Sequence, residues 1–199
     1  MVTIRDRGRL PHGERSHACY FVTFRLADSL PTSVLRQIEL ERVDIVRTVE
    51  AMKRELSACE QRRLTALVGA RIEEYLDAGT GSCFLGKPTV ADKVVHALKH
   101  FDRIRYRPFA WCVMPNHVHV VFRQLADHTL AGIVHGWKSY TAKEANRLLR
   151  RIGVFWQREY YDHLVRDEAD FRRIVRYVLE NPKEAGLRDW AWVSAALAQ

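Results

Sequence analysis

Aromatic and aliphatic residues are grouped along the chain in short runs that are typical of β-strands. Residues 17–26 are rich in aromatic and β-branched types, and Pro31 lies in the polar stretch that interrupts them, so we predict a strand here. The runs 105–114 and 117–122 have the same character, and the Pro115-Asn116 pair between them favours a turn. These two runs therefore predict a hairpin in the core of a sheet.

Three further segments repeat apolar residues at the spacing of an amphipathic helix. Thr89, Thr129 and Asp167 precede them and are residue types that cap helix N-termini. We predict that the third helix ends at Asn181-Pro182, because proline disfavours the helical conformation of the residue before it. The aromatic run 155–165 is predicted to be extended. The positions that recur in the helices are Val90, Val94, Val95, Leu98 and Phe101, then Leu130, Ile133, Val134, Trp137 and Thr141, then Phe171, Ile174, Val175, Val178 and Leu179.

A long charged stretch separates the first strand from the rest. From Thr32 to about Asp77 the chain has scattered aliphatic residues and no Gly or Pro before Gly69, which favours one or two amphipathic helices. We interpret residues 32–87 as a helical insertion in a single domain that spans residues 1–199. The order of elements is typical of an α+β fold in which helices pack on an antiparallel sheet.

The chain is basic, with 32 Lys and Arg against 24 Asp and Glu and a net charge of +8. Such a balance favours polyanionic partners, nucleic acid first among them. The sequence lacks an apolar run of about 18 residues and has charged residues from Arg5 onward, so we predict no membrane partner and a cytoplasmic location. The four cysteines lie far apart without a Cys-x-x-Cys pair, which favours reduced, structural roles; they are Cys19, Cys59, Cys83 and Cys112.

The segment Met114-Pro-Asn-His-Val-His-Val120 carries the clearest chemistry. On a strand, side chains two positions apart point to the same face, so His117 and His119 project together while Val118 and Val120 face the core. Two adjacent imidazoles can bind one divalent ion, whereas a bare His-x-His pair is also found on half-exposed strands. Two ligands are too few for a closed zinc site, so a third ligand must come from elsewhere.

The last predicted helix offers Tyr177 and Asn181, which are one turn apart on the same side and lie beside the apolar stripe. A tyrosine in that position is free to serve chemistry, although packing is the ordinary role of a helical tyrosine. For Asn181 the alternative is a residue that only terminates the helix before Pro182.

Taken together, these motifs resemble the REP-associated tyrosine transposases, relatives of the single-tyrosine insertion-sequence transposases of the HUH class. The likeness covers most of the chain, and 32–87 is the part least covered. It is carried by Thr23-Phe-Arg-Leu26, Met114-Pro-Asn-His-Val-His119, Trp137-Lys-Ser-Tyr-Thr141, Phe155-Trp-Gln-Arg-Glu-Tyr-Tyr-Asp-His163 and Tyr177-Val-Leu-Glu-Asn181-Pro-Lys-Glu-Ala-Gly-Leu187.

The resemblance implies a ferredoxin-like HUH core and a role for each matching residue. Tyr177 matches the catalytic tyrosine, and His117 and His119 match the metal-binding histidines. Asn181 falls where relatives place a third polar ligand, which is often Gln in insertion-sequence relatives. Imidazole with an amide oxygen suits Mg²⁺ or Mn²⁺.

The implied activity is metal-dependent cutting and joining of single-stranded DNA beside hairpins of repetitive extragenic palindromes. The tyrosine forms a 5′-phosphotyrosine link and leaves a free 3′-hydroxyl. The enzyme is expected to act as a monomer or a homodimer and to associate with the nucleoid when it is bound to DNA.

Basic residues near these motifs are candidates for phosphate contacts. On the tyrosine helix they lie outside the apolar stripe, so the alternative to phosphate binding is a solvated helix face. The predicted DNA-binding residues are Lys138, Arg158, Arg172, Arg173 and Arg176.

Two other functions fit the same motifs. One is a regulator that binds hairpin DNA without cutting it, which retention of His117, His119 and Tyr177 disfavours. The other is a hydrolytic nuclease in which activated water replaces the tyrosine as the nucleophile.

Overall fold

The computed structural model describes residues 3–6, 11–14, 17–52, 57, 72–73, 75–125 and 127–195. A short 3₁₀ helix at Phe84–Gly86 accompanies the main elements. The strands are β1 (Thr3–Asp6), β2 (Pro11–Glu14), β3 (Cys19–Arg25), β4 (Tyr106–Val113), β5 (His117–Gln124), β6 (Tyr161–Leu164) and β7 (Val193–Ala195), and the helices are α1 (Thr32–Ala51), α2 (Pro88–His100), α3 (Leu130–Leu148) and α4 (Glu168–Glu184).

Five strands form one antiparallel sheet in the order β6-β3-β5-β4-β7. The predicted hairpin is confirmed as β4 and β5, and it supplies two of the three inner strands. The predicted strand at 17–26 is confirmed as β3, which pairs with β5 along its whole length. A separate pair, β1 with β2, was not predicted from the sequence.

Helices cover both faces of this sheet. Alternate residues of β3 and β5 pack with α2 and α3 in the larger core, while the intervening residues face α4. Ile174 and Val178 of α4 are buried against Phe21 and Val121 of the sheet. Burial of such a side chain contributes about 1.5–3 kcal/mol, so α4 is held firmly over the histidine face. The prediction of an α+β fold is confirmed.

Two of the predicted helix caps are confirmed. The Thr129 side chain accepts a hydrogen bond from Gly132 N, and that of Asp167 accepts one from Asp170 N. The prediction for Thr89 is wrong, because α2 begins at Pro88, whose fixed φ and missing N–H suit the first helical position.

The predicted end of the last helix is also wrong. Helix α4 continues through Pro182 to Glu184, and Asn181 and Pro182 are both buried. Proline removes a single hydrogen-bond donor from the helix, while Ala185 N bonds to Asn181 O four residues earlier, as in a regular helix, and Leu187 N caps the helix end by bonding to Pro182 O. The loss is therefore confined to one bond near the C-terminus.

The chain divides into two compact units, one made of Met1–Ala27 with Cys83–Gln199 and the other of Asp28–Ser82. The sheet belongs to the first unit, and α1 belongs to the second, which overlaps the helical insertion predicted at about 32–87. No helix within the described ranges is long and apolar enough to cross a bilayer. Of the four cysteines, Cys59 lies outside the described residues.

Candidate active site

The two predicted histidines lie side by side on the face of the sheet that α4 covers. His117 and His119 are both fully buried, in contrast to a pair on an exposed strand. Their Nε2 atoms approach to 2.9 Å, with the rings nearly perpendicular. The strand therefore brings two imidazole nitrogens to one point, as the i, i+2 spacing predicts.

The other nitrogen of each ring is held by a neighbouring polar side chain. His117 Nδ1 lies 2.7 Å from the Asn116 Oδ1 carbonyl, which can only accept, so Nδ1 carries the proton and Nε2 keeps a lone pair. His119 Nδ1 lies 2.8 Å from Thr23 Oγ1, a hydroxyl that can either donate or accept. His119 can thus donate Nε2–H to His117, or shift its proton to Nδ1 and offer a second lone pair.

Both rings are in the neutral form that binds cations. Burial lowers the pKa of His119 to about 3. Burial also lowers the pKa of His117 well below its usual range, assisted by coulombic interactions with His119 and Arg25 that disfavour a proton on His117. A neutral imidazole needs no deprotonation before it binds a metal ion, so the pair is ready as a ligand set at neutral pH.

Tyr177 packs directly on this pair. Its ring lies 5.3 Å from that of His119 and 5.9 Å from that of Phe21, in edge-on contacts. Phe21 in turn stacks on His119 at 5.6 Å. The tyrosine is half-buried, with its ring among these side chains, so it has both a packing contact and a position beside the imidazoles.

Asn181 lies one turn after Tyr177 and is 1% exposed. Two contacts show that helix α4 runs along β4 in the same direction. Phe171, near the start of α4, contacts Phe109, and Trp190, beyond the end of α4, donates its Nε1–H to the Val113 carbonyl. Asn181 is therefore displaced toward the start of β5. Within the described part of the chain, neither atom of its side-chain amide has a hydrogen-bond partner.

This donor set fits a divalent cation. An unsatisfied buried amide costs about 1–3 kcal/mol, and a cation bound by its oxygen would offset that cost. In the part of the chain that the structure describes, no three His, Cys, Asp or Glu side chains cluster, so a third protein ligand would have to be of another residue type, and the Asn181 oxygen stays the predicted one. Three ligands leave coordination positions for water or a substrate oxygen.

Lys138, one of the predicted DNA-binding residues, is engaged in the fold. Its Nζ donates to the backbone carbonyls of Gln157 and Arg158 at 2.8 and 2.7 Å. Burial lowers its pKa to about 8, with an opposing effect of Glu159. These bonds join α3 to the segment before β6, and DNA contact by Lys138 stays a prediction.

The predicted arginines are all exposed. Arg172 pairs with Glu168 at 3.0 Å and Arg173 with Asp170 at 2.6 Å. Arg176 has no ion-pair partner among the described residues, and it lies one residue before Tyr177. Arg158 belongs to the segment before β6, and its backbone carbonyl accepts a hydrogen bond from Lys138.

Sequence reasoning missed three residues of this site. Thr23 and Arg25 were known only as parts of the first-strand motif, and Asn116 only as a turn residue. Thr23 and Arg25 alternate with Phe24 on β3, so they lie on the face opposite the larger core. Only the register between β3 and β5 shows that His119 and His117 share this face.

Similar proteins were found at the level of sequence. Residues 90–181 match the family described as Transposase IS200 like. A Haemophilus influenzae protein provisionally named a REP-associated tyrosine transposase is 25% identical over 103 residues, which cover 45% of this chain and 58% of that protein. A second protein of H. influenzae is 26% identical over 104 residues, covering 41% of this chain and 56% of its own length. These matches thus span less than two thirds of each relative.

Similarity extends to the fold. A solved structure of a REP-associated tyrosine transposase bound to a REP hairpin superposes with a TM-score of 0.51 and 16% identity, over 90% of this chain and 77% of that chain. The resemblance to REP-associated tyrosine transposases is therefore confirmed, and residues 90–181 match the family of IS200-like transposases.

Proposed function

We propose that this protein is a metal-dependent endonuclease and strand transferase that acts on single-stranded DNA beside hairpins through a 5′-phosphotyrosine intermediate. The observation that carries the proposal is the convergence of two buried imidazole Nε2 atoms, 2.9 Å apart, with the ring of Tyr177 beside them. The family match and the likeness to a transposase described as bound to a REP hairpin support DNA as the substrate.

In this proposal His117, His119 and Asn181 hold a Mg²⁺ or Mn²⁺ ion. The ion would neutralise charge on the phosphate, which makes the phosphorus open to attack by a phenol oxygen. Thr23 and Asn116 fix the orientation of the two imidazoles through their Nδ1 atoms. Tight packing of Phe21 on His119 and Tyr177 keeps the nucleophile beside the ligand pair.

Tyr177 supplies the nucleophile. Its Oη forms a bond to phosphorus while the bond from phosphorus to the 3′-oxygen breaks; the phenol proton passes to solvent, and the leaving 3′-oxygen takes up a proton. The products are a 5′-phosphotyrosine and a free 3′-hydroxyl. Because the link retains the phosphodiester energy, the 3′-hydroxyl of another strand can attack it and join the DNA without ATP.

The test is a denaturing gel after incubation of the protein with labelled single-stranded hairpin DNA and Mn²⁺. A protein–DNA adduct that survives denaturation is the expected result. Free cut ends without an adduct would identify a hydrolytic nuclease, and a complex that forms without cutting would identify a hairpin-binding regulator. Either outcome would overturn the proposal.

Substitutions assign the roles. Tyr177→Phe is expected to abolish the adduct with little change in DNA affinity, because it removes one hydroxyl and keeps the ring contacts. Tyr140→Phe, at a tyrosine on α3 that is 39% exposed, is the matched control and is expected to retain cutting. An adduct that persists in Tyr177→Phe would assign the nucleophile to another tyrosine.

The metal ligands are tested in the same assay. His117→Ala and His119→Ala are expected to abolish cutting and to leave hairpin binding largely intact, since exposed basic residues supply that affinity. His135→Ala, at an exposed position of α3, is the control. Cutting by either ligand variant at the normal rate in the presence of a chelator would contradict the metal assignment.

A further inference from the structure

Arg25 ends β3 directly beside the candidate metal ligands. It is the strand partner of His117, two residues beyond Thr23, which is the strand partner of His119. Side chains two positions apart on a strand share a face, so Arg25 lies on the same face as Thr23 and the two histidines. It occupies the end of the sheet toward which Asn181 is displaced.

Among the residues that the structure describes, no anionic group balances the charge of this arginine. Its side chain is half-buried, and no carboxylate among the described residues forms an ion pair with it. Burial alone lowers its pKa to about 10, so it remains charged at neutral pH. Its field also contributes to the lowered pKa values of His117 and Lys138, which shows that other cationic or basic groups lie around it.

An arrangement of this kind is costly unless an anion completes it. Partly buried arginines ordinarily pair with a carboxylate, and the planar guanidinium offers parallel N–H donors that match a carboxylate or a phosphate. The described groups that interact electrostatically with Arg25 are the imidazole of His117 and the ammonium group of Lys138, and neither can balance the positive charge of a guanidinium. A phosphodiester oxygen has the required charge and geometry.

We propose that Arg25 is the phosphate-binding residue of this site and positions the phosphodiester that Tyr177 attacks. The inference rests on the proposed function for the identity of that phosphodiester. Arg25 donates N–H bonds to non-bridging phosphate oxygens, so the phosphorus is held above the imidazole pair. Because charge builds up on these oxygens during attack, the guanidinium contributes more in the transition state than in the ground state.

Phosphate binding is tested first without metal and without cutting. In protein labelled with ¹⁵N, the Nε–H resonance of Arg25 is identified by its absence in Arg25→Lys, and dimethyl phosphate is added in the presence of EDTA. We expect a saturable shift of the Arg25 resonance and a much smaller one for Arg123, which lies on the same sheet face at the opposite end of β5. An unmoved Arg25 resonance, or equal shifts of both, would overturn the proposal.

Cutting is tested second, with the hairpin oligonucleotide that the wild-type protein cleaves. Arg25→Gln is expected to cut about 100-fold more slowly, with unchanged Mn²⁺ affinity, whereas Arg123→Gln cuts normally. A methylphosphonate at the cut position is expected to slow the wild type strongly and Arg25→Gln little further. Normal cutting by Arg25→Gln would refute the role of Arg25 and would leave the proposed function standing.

The two proposals fail in different ways. If the wild type does not cut but its Arg25 resonance shifts with dimethyl phosphate, the proposed function falls and the phosphate site stands. Should Arg25→Gln fail to fold, Arg25→Lys keeps the charge and loses the paired donors, and we expect an intermediate loss of cutting with unchanged Mn²⁺ affinity. Full activity of a folded Arg25→Lys would exclude recognition through paired donors.

Discussion

The hydroxyl of Thr23 offers the sharpest test of how the histidine pair is prepared for metal. Thr23→Val keeps the shape and the β-branched strand character of the side chain and removes the 2.8 Å contact with His119 Nδ1. The ring then loses the partner that lets it place its proton on Nδ1 and turn Nε2 toward a cation.

The expected magnitude follows from the role of such outer partners. Loss of a hydrogen bond behind a metal-binding imidazole weakens metal affinity by about 10–100-fold, which corresponds to about 1.4–2.8 kcal/mol. The variant also leaves a buried nitrogen without a partner, so we expect the free energy of unfolding to fall by about 1–3 kcal/mol. Both effects must be measured to separate them.

Thr141→Val is the matched control. Thr141 is 1% exposed on the other side of the sheet, where its hydroxyl donates to Trp137 O at 2.6 Å and accepts from Trp156 Nε1 at 2.9 Å. The same substitution there costs stability in a similar way but touches no predicted ligand.

Mn²⁺ affinity is measured by calorimetry or by electron paramagnetic resonance, and stability by urea unfolding in the presence of EDTA. We expect weaker Mn²⁺ binding only in Thr23→Val. Unchanged Mn²⁺ affinity in that variant would refute the orienting role of Thr23, and equal losses in both variants would reduce the effect to general destabilisation.

Three further predictions concern the surface, the pH dependence and the second unit. Arg176→Ala should lower the slope of log affinity against log salt for hairpin DNA by about 1, while Arg147→Ala, an exposed arginine paired within α3, leaves the slope unchanged. Burial raises the pKa of Asp170, but the hydrogen bonds that it accepts outweigh burial and hold the pKa at about 2. A carboxyl group whose pKa is lowered in the folded state stabilises the fold at pH values above its unfolded-state pKa. Urea unfolding should therefore show the wild type losing a stability advantage of about 2 kcal/mol over Asp170→Asn as the pH falls from about 4 toward 2. Gly81→Ala should destabilise the Asp28–Ser82 unit by more than about 1 kcal/mol in hydrogen exchange, since φ is +94° and a Cβ would lie 2.5 Å from the Asp28 carbonyl oxygen.

Local sequence patterns were sufficient for most elements of the sheet unit. The hairpin of β4 and β5 follows from two β-rich runs with a turn pair between them, and the caps at Thr129 and Asp167 follow from side chains that accept backbone N–H groups. The wrong predictions lie at boundaries, at Thr89 and at Asn181-Pro182. There, alternatives of similar energy compete, and at the second boundary the burial of Asn181 and Pro182 as part of α4 decides between them.

The candidate ligands and nucleophile were identified from spacing and from the family resemblance, since His117 and His119 share a face by strand geometry and Tyr177 and Asn181 by helix geometry. Spacing within one element cannot show which elements meet. Only the tertiary structure brings the ring of Tyr177 to 5.3 Å from His119, and only the strand register sets Thr23 opposite His119 and Arg25 opposite His117. The sequence alone thus determined which residues share a face, because that depends on local backbone geometry, while packing between distant segments decided which faces meet and which polar groups are buried together.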